Sequence, residues 1–156
     1  MPLQAAGVKQ LPPDDEEAER RLLAGLMREP DAVGLACIDA RVAESDFYRH
    51  SHRLVWRACW ALIGAGLESG AAAVFVALRA SGHLPDLSRR PGLWLAELLD
   101  EDPTGAWCHD AIARIKRAAV RRRVIHAALE CVRDAYDGVR DTADYERQLV
   151  GMHKTL

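Results

Sequence analysis

Apolar positions recur at helical spacing along most of this chain. Ala18, Leu22 and Leu26 repeat every four residues and so share one face of a helix over about 14–28. Asp14, Asp15, Glu16 and Glu17 supply the acidic first turn that suits the positive end of a helix dipole. Pro30 ends that helix, and Asp31 is the expected N-cap of a short one through Cys37 and Ile38. Two aromatics in Asp46-Phe47-Tyr48 precede a longer helix over about 49–64. Its stripe is Val55, Cys59, Leu62 and Ile63, and Trp56 and Trp60 lie on adjacent turns.

Residues 71–81 (AAAVFVALRAS) read as a helix. Val74-Phe75-Val76 alone would suit a strand, but alanine dominates and no second strand-like run exists to pair with it. Gly82 is the expected C-cap, followed by a loop over 83–92 and a short helix over 93–100. From about 105 to 136 the pattern stays helical through Ala111, Ile115, Ala119, Val124, Ala128, Val132 and Ala135. Gly138 ends it, and 141–152 restarts a helix with Tyr145, Leu149 and Met152 as its stripe. The expected fold is all-α: a disordered tail over 1–13, a helical head over 14–103, and an αα-hairpin over 104–156.

Composition narrows the function classes. The 156 residues carry a net charge of −2, so no overall basic balance marks a nucleic-acid protein. Four scattered cysteines without a CxxC pair fit a reducing cytosol. The first thirteen residues lack the apolar core of a signal peptide, and no run approaches the ~20 apolar residues that span a bilayer. The expectation is a cytoplasmic protein without a membrane partner.

Candidate chemistry is sparse. No glycine is followed by lysine, which removes a phosphate-binding P-loop, and GxGxxG is missing too. His50 and His52 point to different helix faces, as do the neighbours His109 and Asp110, so neither pair builds a metal site or dyad. No catalytic residue, cofactor or metal is expected. Glu97, Asp100, Glu101 and Asp102 form an acidic helix end, read as a solvated surface or a patch for a basic partner. The strongest compositional signal is basic: Arg114, Lys116, Arg117, Arg121, Arg122 and Arg123. Arg114, Arg117 and Arg121 share a face that could meet phosphates or an acidic protein. Trp107, Tyr136, Tyr145 and Leu149 are candidates for an interface.

The sequence also resembles a family. Leu11-Pro12-Pro13, Glu17-Ala18-Glu19, Leu22-Leu23, Gly25-Leu26, Asp46-Phe47-Tyr48 and His52-Arg53 follow, in order and spacing, the N-terminal domain of DnaB-type replicative helicases. The resemblance continues more loosely to about residue 152. It implies a helical head and hairpin that pack between subunits into a collar, and it implies structural roles for Glu17, Ala18, Glu19, Asp46, Phe47, Tyr48, His52 and Arg53. It further implies self-association as a dimer or higher oligomer, and a helicase, primase or helicase loader as partner. The motor of that family is a separate ATPase domain, not expected within these residues, so the chain is expected not to be an enzyme. DNA contact would be indirect or weak; the alternative is a DNA-binding regulator using the arginine face. Three segments depart from the family pattern: 69–78 (SGAAAVFVAL), 90–95 (RPGLWL, with Trp94 in place of tyrosine) and Gly105-Ala106-Trp107. A diverged surface of this kind implies a changed partner or a relaxed one.

Overall fold

The computed structural model describes residues 11–100, 107–138 and 141–154. Most of the tail over 1–13, the acidic residues Glu101 and Asp102, and Gly105-Ala106 therefore lie outside the described residues. The regular structure among them is helical, with no strand. They form two compact units, Asp14–Ala119 and, separately, the chain from Val120 onward with the residues before Asp14.

In the first unit, α1 (Glu16–Arg28) begins where Asp15 accepts the Ala18 amide at 3.1 Å, which satisfies one of the free N–H groups of the first turn. Its row Ala18, Leu22 and Leu26 is fully buried, as the four-residue repeat predicts. Helix α2 (Pro30–Asp39) starts two residues earlier than a cap at Asp31 would place it. Glu29, not Asp31, is the joint, because Pro30 at the first helical position has a preset φ and needs no amide partner. A 3-10 turn (Glu44–Asp46) leads into α3 (His50–Gly64). Helix α4 (Ala71–Ala80) confirms helix over strand, and Gly82 follows its C-cap with φ +77, the left-handed conformation a glycine adopts without strain. The expected loop at 83–92 holds a 3-10 turn (Leu84–Asp86), and α5 (Pro91–Leu99) again opens on a proline.

Helix α1 packs against α2, α3 and α5, and α4 packs against α3 and α5. Phe47, Leu54, Val55, Val74, Leu95 and Leu98 fill the space between them. Phe47 meets Trp56 at 4.9 Å between ring centroids, and Trp56 meets Trp60 at 5.4 Å, edge to face. The compact head continues into the start of α6 (Trp107–Asp137), whose Ala111, Ile112 and Ile115 join the same core. At the other end of the head, Arg20 donates to the Glu97 carbonyl at 3.2 Å and Arg28 donates to the Leu99 carbonyl. Two guanidiniums thus meet the negative end of α5, where the sequence shows only acids.

Burial controls the thiols. It pushes Cys37 up to about 12, with a smaller contribution from Cys108, and it pushes Cys59 to about 12 as well. Cys108, half-buried, is raised by the same cause. A thiol reagent at pH 8 is therefore expected to modify Cys131 first and to leave Cys37 and Cys59 untouched until the head unfolds. Rapid native labelling of either buried cysteine, read by mass spectrometry, would contradict this packing.

In the second unit, α6 runs on from Val120 to Asp137 and ends at Gly138, φ +63. Helix α7 (Thr142–Lys154) folds back, with the Tyr145 hydroxyl donating to the Asp134 carbonyl at 2.6 Å. No helix among the described residues is long and apolar enough to cross a membrane.

Candidate functional site

Two sets of residues stand out, one buried in the head and one exposed on the hairpin. The buried set is built around Glu19. Burying a carboxylate is costly unless donors surround it, and here three do. The Tyr48 amide donates to Oε1 at 2.6 Å, the Arg49 amide to Oε2 at 3.4 Å, and His52 Nδ1 lies 2.7 Å from Oε2. Glu19 and His52 are each 1% exposed. The carboxylate thus serves as a remote N-cap: it reaches from α1 to the amides that open α3. Tyr48 returns the link by accepting from Arg53 at 2.9 Å.

Asp46 is a second buried carboxylate. Its Oδ2 accepts the Ala43 amide at 2.9 Å and Lys116 Nζ at 2.8 Å, while the same ammonium reaches the Arg41 carbonyl at 2.6 Å. Asp15 is the third anchor. Arg114 approaches it in a two-pronged pair, Nε to Oδ2 and Nη2 to Oδ1, both at 2.8 Å, and also reaches Glu17 at 2.9 Å. Glu17 in turn pairs with Arg21, whose guanidinium carbon stacks 3.7 Å from the centroid of the Trp107 ring. Each of Glu17, Ala18, Glu19, Asp46, Phe47, Tyr48, His52 and Arg53 lies in this seam between α1, α3 and the base of α6. Ala18, Glu19, Asp46, Phe47 and His52 are buried in it, Tyr48 and Arg53 half-buried, and Glu17 exposed at its edge. Among the described residues, no group of three His, Cys, Asp or Glu side chains could hold a metal ion.

Partial burial pushes the Asp15 carboxyl up. The Arg114 hydrogen bonds, the Ala18 amide and the charges of Arg114 and Arg117 outweigh it, and the net effect lowers its pKa. A lowered folded-state pKa adds stability above the unfolded value of roughly 3.9, and that stability is lost as pH falls through the folded value. Asp15→Asn is thus expected to cost about 1 kcal/mol at pH 7, with the difference from the parent chain shrinking below about pH 4. Urea titrations at pH 7 and at low pH check this; an equal difference at both would remove the ionic part of the argument.

The arginine face is divided by the fold. Arg114 and Lys116 are tied into the head, and Arg122 donates to the Pro13 carbonyl at 2.8 Å. Arg117 and Arg121 are exposed, as is Arg123, which has contacts of its own. The sequence shows the charges but not their partners, which stand 70 and 99 residues away in the chain for Lys116 and Arg114.

The exposed set lies on the distal part of α6. Ile125, Leu129, Val132 and Tyr136 are 44%, 64%, 53% and 84% exposed, at steps of four, three and four residues. That spacing puts all four on one helical face, as an a/d seam does. Of the stripe read from the sequence, Val124 and Ala128 are partly covered, while Val132 and Ala135 are exposed. Of the interface candidates, Tyr136 lies on the exposed row. Tyr145 is half-buried and bonded within the hairpin, and Trp107 lies under Arg21. The Leu149 side chain lies outside the described residues.

A helical head stitched by this seam, followed by a long helix and its return, defines a small all-helical domain. Residues 11–117 match the family model of the DnaB-like helicase N-terminal domain, and the chain belongs to that family. It is 31% identical over 127 residues to the replicative DNA helicase DnaB of Mycobacterium leprae (strain TN). That match covers 81% of this chain and 20% of the relative, so the chain spans about a fifth of that helicase's length. The crystal structure of the N-terminal domain of DnaB helicase from Mycobacterium tuberculosis superposes with a TM-score of 0.79 at 26% identity. That likeness covers 92% of this chain and 99% of the other.

Proposed function

We propose that this domain is a non-catalytic assembly module of the replicative-helicase type. It self-associates through the hairpin and serves as a docking body for a helicase, a primase or a loading protein. The observation that supports this reading is the exposed row Ile125, Leu129, Val132 and Tyr136 on α6. Four large apolar side chains on one face of a helix are unfavourable in water and favour a matching surface. A second copy supplies one. Charge sets the direction: Arg121 precedes the row and Asp137 follows it. An antiparallel two-fold pairing of α6 would place Arg121 of each copy toward Asp137 of the other, whereas a parallel pairing would bring like charges together.

The arginine face supports a DNA-facing role less well, since Arg114 and Lys116 hold the head together. Light scattering on the isolated protein between about 1 and 100 µM tests the assembly reading, a range that spans weak self-association. The expected result is a mass that rises from one chain toward two or more. A single-chain mass throughout would refute it.

A further inference from the structure

A shallow cavity of about 260 Å³ runs between α4 and α5. Ala71, Ala72 and Phe75 form one wall; Gly92, Ala96 and Leu99 form the other. No polar side chain lines it. Gly92 is part of the geometry, because a β-carbon there would stand 3.7 Å from the Phe75 ring and narrow the groove. The outer edges are apolar as well, with Val76 on α4 64% exposed and Leu93 on α5 51% exposed. Helices that are apolar on their outer as well as their inner face are usually covered on both sides.

Charge indicates what covers this one. On α5, Glu97 and Asp100 are exposed in a row with Leu93, at steps of four and three residues. Glu101 and Asp102 extend the acidic run in the sequence. Arg20 and Arg28 approach the same helix end on its carbonyl oxygens. The α4 side carries one exposed cation, Arg79, in its last turn. Negative charge therefore flanks the groove at the C-terminal end of α5, whereas Arg89 and Arg90 are exposed just before its N-terminal end.

We infer that the α4–α5 groove docks a basic amphipathic helix of another protein. Two bulky apolar side chains, one turn apart, enter between Phe75 and Leu99, and flanking Lys or Arg residues pair with Glu97 and Asp100. The volume suits about two such side chains, and a third helix laid along two others seats its side chains as ridges in a groove. The inference rests on the docking role proposed above and specifies the surface and the chemistry of its partner.

The test uses the whole chain carrying Leu129→Glu and Val132→Glu, so that self-association does not enter the measurement. The probe is a fluorescent synthetic helix of about 15 residues, with Phe and Leu at i and i+4 and lysines on either side. A control peptide has glutamates in place of the lysines. The lysine peptide is expected to bind and the glutamate peptide to bind at least about tenfold more weakly. Ala96→Phe, which fills the groove, and Glu97→Lys with Asp100→Lys, which reverse its flank, should each weaken the lysine peptide about tenfold or more. Circular dichroism verifies that these surface variants stay folded. Equal binding of the two peptides, no binding of either, or indifference to both groove variants would each overturn the inference. So would a parent chain whose oligomer is lost through Ala96→Phe alone, since the groove would then belong to a second copy. Loss of oligomer in Leu129→Glu with Val132→Glu concerns the hairpin reading only, so the two can fail separately.

Discussion

Glu19→Ala should lower the unfolding free energy by about 3–5 kcal/mol. The substitution leaves the part-buried Tyr48 and Arg49 amides and the buried His52 ring without their acceptor. For a domain with about 5–15 kcal/mol in total, that is a large share. The urea midpoint should fall with an unchanged slope, and the melting temperature should drop by about 10 °C. Glu19→Gln keeps one acceptor oxygen and most of the shape, and it should lose less than alanine does. A loss under about 1 kcal/mol for Glu19→Ala would mean that the seam does not hold α1 to α3.

The second large effect concerns the hairpin. Leu129→Glu with Val132→Glu removes two apolar anchors and sets carboxylates face to face across the proposed two-fold contact. Self-association should weaken by at least about 100-fold, which corresponds to roughly 3 kcal/mol. Both side chains are exposed, so the melting temperature of a dilute sample should change little. Arg121→Asp alone should weaken the dimer about tenfold, and adding Asp137→Arg should restore it if the helices run antiparallel. Sedimentation velocity reads all four proteins. Retained association in the double glutamate variant would place the contact elsewhere, and failure of the charge swap would reject the antiparallel direction.

The helices were legible because their signals are local. The four-residue repeat of Ala18, Leu22 and Leu26, the stop at Pro30 and the breaks at Gly82 and Gly138 act within a turn or two of where they stand. The joint at Glu29 was misplaced by two residues because two capping rules competed there, and proline at the first helical position prevailed over Asp31 as a cap. The apolar stripe of α6 did not separate its covered residues from its open ones, for a different reason. Val124 and Ile125 are equally apolar, and only the packing of the hairpin decides which of the two faces water.

The sequence by itself determined an all-helical chain, the identity of its family through Glu17–Glu19, Asp46–Tyr48 and His52–Arg53, and a lack of phosphate-loop chemistry. Helical periodicity and motif spacing are properties of nearest neighbours, so one dimension is enough to show them. Tertiary structure alone decided which charges are partners. Glu19 meets the start of α3, Lys116 meets Asp46, and Arg114 meets Asp15, across separations no local pattern encodes. It also decided that much of the arginine run fastens the domain together while the apolar row of α6 stays open. A side chain's role depends on what lies within a few ångströms, and folding brings those neighbours from distant parts of the chain.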